Sequence, residues 1–198
     1  MIDDGLLREL LSRNARWAQS ANIANFTQSD RPGEPPRILW IGCADSRVPE
    51  SVITSSNPGE IFVHRNIANQ VHLNDTNLLS LVQFAVNNLH VEHVIVVGHE
   101  DCGGVQACLP GQPPPDPPLG LHLEEWLKPL TLYAKVLPAL QPPVGGNPLE
   151  ILIRENVKLQ VTNLSNMIQT LTLEGPHVHG WIYDVRNGRL RDVNDEDK

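Results

Sequence analysis

Cysteine is scarce, with only Cys43, Cys102 and Cys108 in 198 residues. Three are too few for a disulfide framework, and they suit a reducing compartment in which thiolates stay available as ligands. No apolar run approaches the length of a membrane span, so no membrane partner is expected. Basic residues are in deficit: 15 Lys and Arg stand against 23 Asp and Glu, a formal charge of -8. That balance argues against a nucleic-acid backbone as the main partner. It leaves a small anionic or neutral substrate open, because local fields decide that. The start, Met1-Ile2-Asp3-Asp4, is acidic. It lacks the basic and apolar form of a secretory signal and the Arg-rich form of a transit peptide. The reading is cytoplasmic, with a processed organellar form left open. There is no internal repeat and no composition break, so residues 1–198 read as one domain.

Two runs share one grammar. Ile38-Leu39-Trp40-Ile41 stops at Gly42-Cys43-Ala44-Asp45-Ser46-Arg47, and Ile95-Val96-Val97 stops at Gly98-His99-Glu100-Asp101-Cys102-Gly103-Gly104. Each reads as a buried strand that ends in a turn carrying soft or borderline ligands, as a zinc site needs. Further strands are read over 60–64 and 177–185, with an edge strand near 189–193 after the Asn187-Gly188 turn. Helical spacing covers 3–21, where Leu6, Leu7, Leu10, Leu11, Trp17 and Ala18 share one side. That stripe needs a partner surface, on its own domain or on a neighbouring subunit. Another helix covers 75–89, capped by Asn74 or Asp75. A third runs from the Asn147-Pro148-Leu149-Glu150 start to about 171. Short helical pieces broken at Pro129 and Pro138 are expected over 119–137, a linker over 30–36, and a loop over 142–146. The fold class is therefore α/β: a mostly parallel open sheet of about four parallel strands plus an antiparallel edge strand, flanked by helices, with an N-terminal helical arm. Sites in such folds form at the carboxyl ends of strands, where Cys43 and His99 fall.

Cys43, His99 and Cys102 are the metal-ligand candidates. Two thiolates and an imidazole suit Zn2+ and leave a fourth position, for which Asp45 is the natural candidate. Zinc with two thiolates and a neutral His is formally neutral. Aspartate or hydroxide in the fourth place gives the same charge, so the two compete as equals. Arg47 is placed to take the released Asp45 carboxylate. Cys108 reads as a small buried apolar residue. None of the remaining histidines is assigned as a proton shuttle.

Cys43-Ala44-Asp45-Ser46-Arg47, His64-Arg65-Asn66-Ile67-Ala68-Asn69 and His99-Glu100-Asp101-Cys102-Gly103-Gly104 together resemble the β-class carbonic anhydrases, in order and in spacing. The similarity covers most of residues 3–193. It implies reversible hydration of carbon dioxide to bicarbonate and a proton, on one zinc per subunit, with a metal-bound hydroxide as nucleophile. It implies Cys43, His99 and Cys102 as ligands and Asp45 with Arg47 as the catalytic dyad. It also implies self-association as a homodimer, often paired into a homotetramer, with the N-terminal helix embracing the neighbour. The Gly103 N–H would hold an anionic product oxygen. Phe62 and Ile67 either wall the carbon dioxide pocket or belong to the plain core, and composition does not separate the two.

A narrower resemblance is to the type whose zinc is closed by the aspartate and which binds bicarbonate at a second pocket. Trp40, Arg65 and Tyr183 stand where that pocket's residues would. The resemblance implies regulation by bicarbonate and pH, with bicarbonate displacing Val48-Pro49-Glu50 so that Asp45 swings to the metal. The alternatives are a hydrolase of a related linear molecule such as carbon disulfide, or a zinc-stabilised binding protein without turnover. A dinucleotide site is disfavoured by the missing G-x-G-x-x-G.

Overall fold

The computed structural model describes residues 5–20, 35–113, 115–140 and 146–195. Most of the 30–36 linker and of the 142–146 loop lie outside the described residues. The elements in chain order are α1 (Gly5–Ser20), β1 (Ile38–Cys43), α2 (Glu50–Ile53), β2 (Ile61–Asn66), α3 (Thr76–Asn87), β3 (His93–His99), α4 (Gly103–Gln106), α5 (Leu121–Val136), α6 (Pro148–Leu171), β4 (His177–Asp184) and β5 (Arg189–Asp192). Short 3-10 turns cover Ile67–Asn69 and Pro138–Leu140. The sheet order is β2-β1-β3-β4-β5. The first three pairings are parallel and β4–β5 is antiparallel, as the sequence leads one to expect.

Register sets what the strand ends present. Cys43 pairs with Asn66 and His99 with Tyr183, so both candidate ligands leave the sheet at its carboxyl edge. The alternating residues bury two faces. Leu39, Ile41, Val94, Val96 and Ile182 meet Leu78, Val82, Leu127, Leu130, Leu152, Ile153, Val157 and Leu164 in the main core. Trp40, Ile95 and Val97 form a smaller cluster on the other face, with Ile53 of α2, Val63 and Trp181 against it. Central strands buried on both sides explain why they read as unbroken apolar runs.

Both expected helix starts are capped. Asp75 accepts from the Asn77 N–H at 3.0 Å, and Asn147 Oδ1 accepts from the Leu149 N–H at 3.0 Å. The region 119–137 departs from expectation: Pro129 sits inside one continuous helix, α5. Pro129 and Glu125 are both exposed, so the hydrogen bond that proline removes falls on the wet side, where water can replace it. Leu127, Leu130 and Ala134 are buried on the other side and hold the helix together. α6 spans the expected stretch. Its buried face includes Asn156 and Gln160 beside Leu152, Ile153, Val157 and Leu164, so two amides lie in the core.

α6 packs close to β3 and β4 because glycines face it. A Cβ on Gly98 would lie 2.6 Å from Val157 Cγ2, and one on Gly180 would lie 2.9 Å from Val157 Cγ1. At the other end of the chain, α1 buries none of its residues. Leu6, Leu7, Leu10 and Leu11 stay exposed, while Trp17, farther along the stripe, lines a pocket with Val52, Pro58 and Ile61.

Candidate metal centre

Cys43 closes β1, His99 closes β3, and Cys102 comes one turn later at the cap of α4. Asp101 adopts φ 53, which turns the chain back so that Cys102 faces His99. The donor atoms of Cys43, His99 and Cys102 lie within 4.8 Å of one another, and all three residues are buried. Cys43 Sγ is 4.0 Å from Cys102 Sγ.

His99 is oriented for metal binding. Its Nδ1 lies 2.8 Å from the Glu100 carbonyl, which can only accept, so Nδ1 carries the hydrogen and Nε2 presents its lone pair. Nε2 is buried and has no hydrogen-bond partner. An orphaned buried acceptor is costly unless something fills its place, and a cation between it and two sulfurs would do so. The donor set is soft and borderline, two S and one N, as zinc prefers.

The sulfurs compete for one proton. Cys43 is pulled down chiefly by the hydrogen bond from Cys102, against burial. Cys102 is pushed up by that same bond to Cys43 and by burial. The backbone at Asp45 and then at Ala68 lowers Cys43 further.

Asp45 stands at the rim. Its Oδ1 accepts from the Arg47 N–H at 2.8 Å and from Nε at 3.0 Å, and its Oδ2 accepts from Arg47 Nη2 at 2.7 Å. These bonds hold its pKa down to about 2, so the carboxylate stays charged. Arg47 is itself tethered, Nη2 donating to the Asp101 carbonyl at 3.2 Å. Asp45 Oδ2 lies 3.9 Å from His99 Nε2, beside the point where a fourth ligand would sit.

The other expected residues fall into three groups. Gly103 directly follows Cys102, and nothing lies within 4 Å of where its Cβ would be, so the space beside it is open. Ile67 lies over Gly104, whose Cβ would come within 2.9 Å of Ile67 Cγ2. Phe62 pairs with Leu39, four residues before the Cys43 row, and packs on Phe84 at 6.0 Å, so within one chain it is not brought to the cysteines. Trp40, Arg65 and Tyr183 lie on the sheet face of the smaller cluster, because each shares the strand parity of Ile95, Val97 or Trp181. Trp40 Nε1 is buried without a partner. Arg65 Nε donates to the Cys43 carbonyl at 2.9 Å, Nη2 donates to the Asp45 carbonyl, and Nη1 lies 3.9 Å from Glu50 Oε2. Sequence reasoning missed the backbone role of Ala68 and the buried amides Gln70, Asn156 and Gln160. Two amides spaced four apart beside an apolar helical stripe were the only signal.

An open α/β sheet whose strand ends deliver a buried Cys2His cluster, with a charged carboxylate beside it, defines a metal-enzyme type of site. Residues 38–190 match the family described as carbonic anhydrase. A carbonic anhydrase of Emericella nidulans is 36% identical over 199 residues, covering 94% of this chain and 82% of the relative. Among solved structures, a β-carbonic anhydrase of Aspergillus fumigatus is similar with a TM-score of 0.78 at 36% identity, covering 97% of this chain and 92% of that one. One of two tetrameric β-carbonic anhydrases from Sordaria macrospora gives 0.79 at 32% identity, covering 98% and 99%. The chain belongs to the β-class carbonic anhydrase family. No helix among the described residues is long and apolar enough to cross a membrane.

Proposed function

We propose that this chain hydrates carbon dioxide reversibly, with Cys43, His99 and Cys102 holding zinc and Asp45 and Arg47 acting as an orienting and gating dyad. The single observation that carries this reading is the buried, unpartnered His99 Nε2, facing both sulfurs and lying 3.9 Å from a charged Asp45 oxygen. Bound zinc would supply a Lewis acid that acidifies water toward neutral pH. Asp45, kept ionised by Arg47, accepts a hydrogen bond from the attacking water and aims its lone pair at the substrate. Arg47, fixed by the Asp101 carbonyl, stops the carboxylate from rotating onto the metal position. With that pairing broken, Asp45 would be free to join Cys43, His99 and Cys102 in holding the metal. The open space beside Gly103 suits a product oxygen, and Ile67 lines its approach. Phe62 serves the core next to Phe84.

Regulation belongs to the same reading. Trp40, Arg65 and Tyr183 would take bicarbonate on the sheet face of the smaller cluster, where the spare Trp40 Nε1 donor supports an anion. Arg65 is the link, since it holds the Cys43 and Asp45 carbonyls. An anion that draws its guanidinium away would loosen the turn that carries the dyad. The exposed apolar stripe of α1 supports self-association as a homodimer, and the tetrameric Sordaria relatives support a homotetramer. Three free cysteines fit a reducing, cytoplasmic setting.

The test is stopped-flow carbon dioxide hydration by the zinc-loaded chain, with Arg47→Ala and Tyr183→Phe beside it. Arg47→Ala is expected to lose about 100-fold or more in kcat/KM, as loss of reactant orientation does, while zinc content stays at wild type. Tyr183→Phe is expected to relieve bicarbonate inhibition. An inactive wild type with full zinc overturns the enzyme reading, and inhibition unchanged in Tyr183→Phe overturns the pocket.

A further inference from the structure

Gln70, Asn156 and Gln160 are nearly inaccessible, at 1%, 1% and 2% exposure. Amides buried this deeply are tolerated only when satisfied, and an apolar trio would fill the space as well. These three are satisfied by each other and by one turn of backbone. Gln70 Nε2 donates to Asn156 Oδ1 at 2.9 Å, and Gln160 Nε2 donates to the same oxygen at 3.0 Å. Gln160 Oε1 accepts the Val71 N–H at 2.9 Å. Two donors then converge on one carbonyl: Gln70 Nε2 and Asn156 Nδ2 reach Ala68 O at 2.7 and 3.1 Å.

Ala68 is an unusual residue to hold so firmly. Its φ is 62 and that of Asn69 is 49, two consecutive left-handed conformations at residues with a Cβ. Such a turn persists only when its surroundings over-determine it. What it delivers is contact with both cysteine segments. Asn66, two residues before Ala68, pairs with Cys43 across β1–β2 and accepts the Ala44 N–H at 2.9 Å. On the other side, a Cβ on Gly104, two residues past Cys102, would lie 3.2 Å from Ala68 Cβ and 3.6 Å from Ala68 N. The same helix that supplies Asn156 and Gln160 sets the neighbouring Val157 against Gly98, the residue before His99. α6 therefore references all three ligands at once: His99 through Val157, and Cys43 and Cys102 through the amide network and Ala68.

The geometry points to Asn156 and Gln160 as positioning residues for the metal centre, acting through Gln70 and the left-handed Ala68 turn to fix the spacing of the two sulfurs. This rests on the reading of Cys43, His99 and Cys102 as zinc ligands. Hydrogen-bonding partners behind a ligand set typically change metal affinity by about 10- to 100-fold when removed. The network tunes the site in that way while touching neither metal nor substrate.

The experiment uses full-length protein loaded with Co2+, whose thiolate charge-transfer and visible bands report ligand geometry, together with zinc affinity by chelator competition. Asn156→Leu keeps the volume and removes the amide. It is expected to weaken zinc binding about tenfold or more and to shift the cobalt bands. Leu164→Ala, a buried apolar truncation in the same helix, is expected to lower the melting temperature and leave both readouts at wild type. Should Asn156→Leu fail to fold, Gln160→Met carries the same expectation. Wild-type affinity and an unshifted spectrum in a folded Asn156 or Gln160 variant overturn the positioning role alone. A wild-type protein with no thiolate–cobalt band overturns the zinc reading and this inference with it.

Discussion

Gly98→Ala tests whether close helix packing sets the His99 strand end. A Cβ there would sit 2.6 Å from Val157 Cγ2 and 3.6 Å from Ile153 Cγ2. Carbon atoms rest at about 3.5–4.0 Å, so the new methyl is roughly 1 Å too close. Val157 is fully buried and α6 is held along its length, so neither side yields freely. Overpacking of this kind costs about 1–3 kcal/mol. In a chain of this size that lowers the melting temperature by about 2–4 °C per kcal/mol. Val157→Ala alone opens a cavity and costs about 2–3 kcal/mol. In the double variant the added methyl at position 98 fills the space that Val157 leaves. The pair should then be no less stable than Val157→Ala alone, with a coupling of at least about 1 kcal/mol. Reversible denaturant unfolding of the four proteins closes the cycle. Single costs that add within about 0.3–0.5 kcal/mol would refute the reasoning. Zinc content should show the same pattern, low in Gly98→Ala and restored in the pair, because residue 98 adjoins His99.

Other consequences concern the helix cap and the acid side of the stability profile. Asp75→Ala removes the acceptor for the Asn77 N–H and should cost about 1 kcal/mol, read as a lower urea midpoint with an unchanged m-value. His179 is pushed below the usual histidine range by burial and then by His93 and His177. A depressed folded pKa gives stability that is full above the unfolded value, about 6.5, and is lost as pH falls through the folded value. His179→Gln should therefore flatten the fall in stability below about pH 6.5, and an identical pH profile in the variant would count against that origin.

The sheet, the clustering of Cys43, His99 and Cys102 and the pairing of Asp45 with Arg47 were legible in the sequence because each rests on local grammar. An apolar run that stops at Gly42 or Gly98 is a strand end, and the residues just beyond it are displayed at the sheet edge. Asp45 and Arg47 are two residues apart, so their pairing needed no tertiary information. The single helix through Pro129 was not legible, since whether proline breaks a helix depends on which side faces water. Asn156 and Gln160 were not legible either. On a helix an amide next to an apolar stripe reads as the edge of the solvent face, and only the turn at Ala68 gives it a buried partner.

The sequence by itself determined the chemistry of the centre: two cysteines, one imidazole and a carboxylate with its arginine, at spacings that strand ends impose. Tertiary structure decided the rest. It left His99 Nε2 without a protein partner, parked Asp45 on Arg47 beside that nitrogen, and bent Ala68 into the left-handed region against Gly104, two residues past Cys102. The physical reason is range. Hydrophobic period and turn chemistry act over a few residues and can be read in order, whereas the satisfaction of a buried polar atom depends on residues far away in the chain, as Ala68 depends on Asn156.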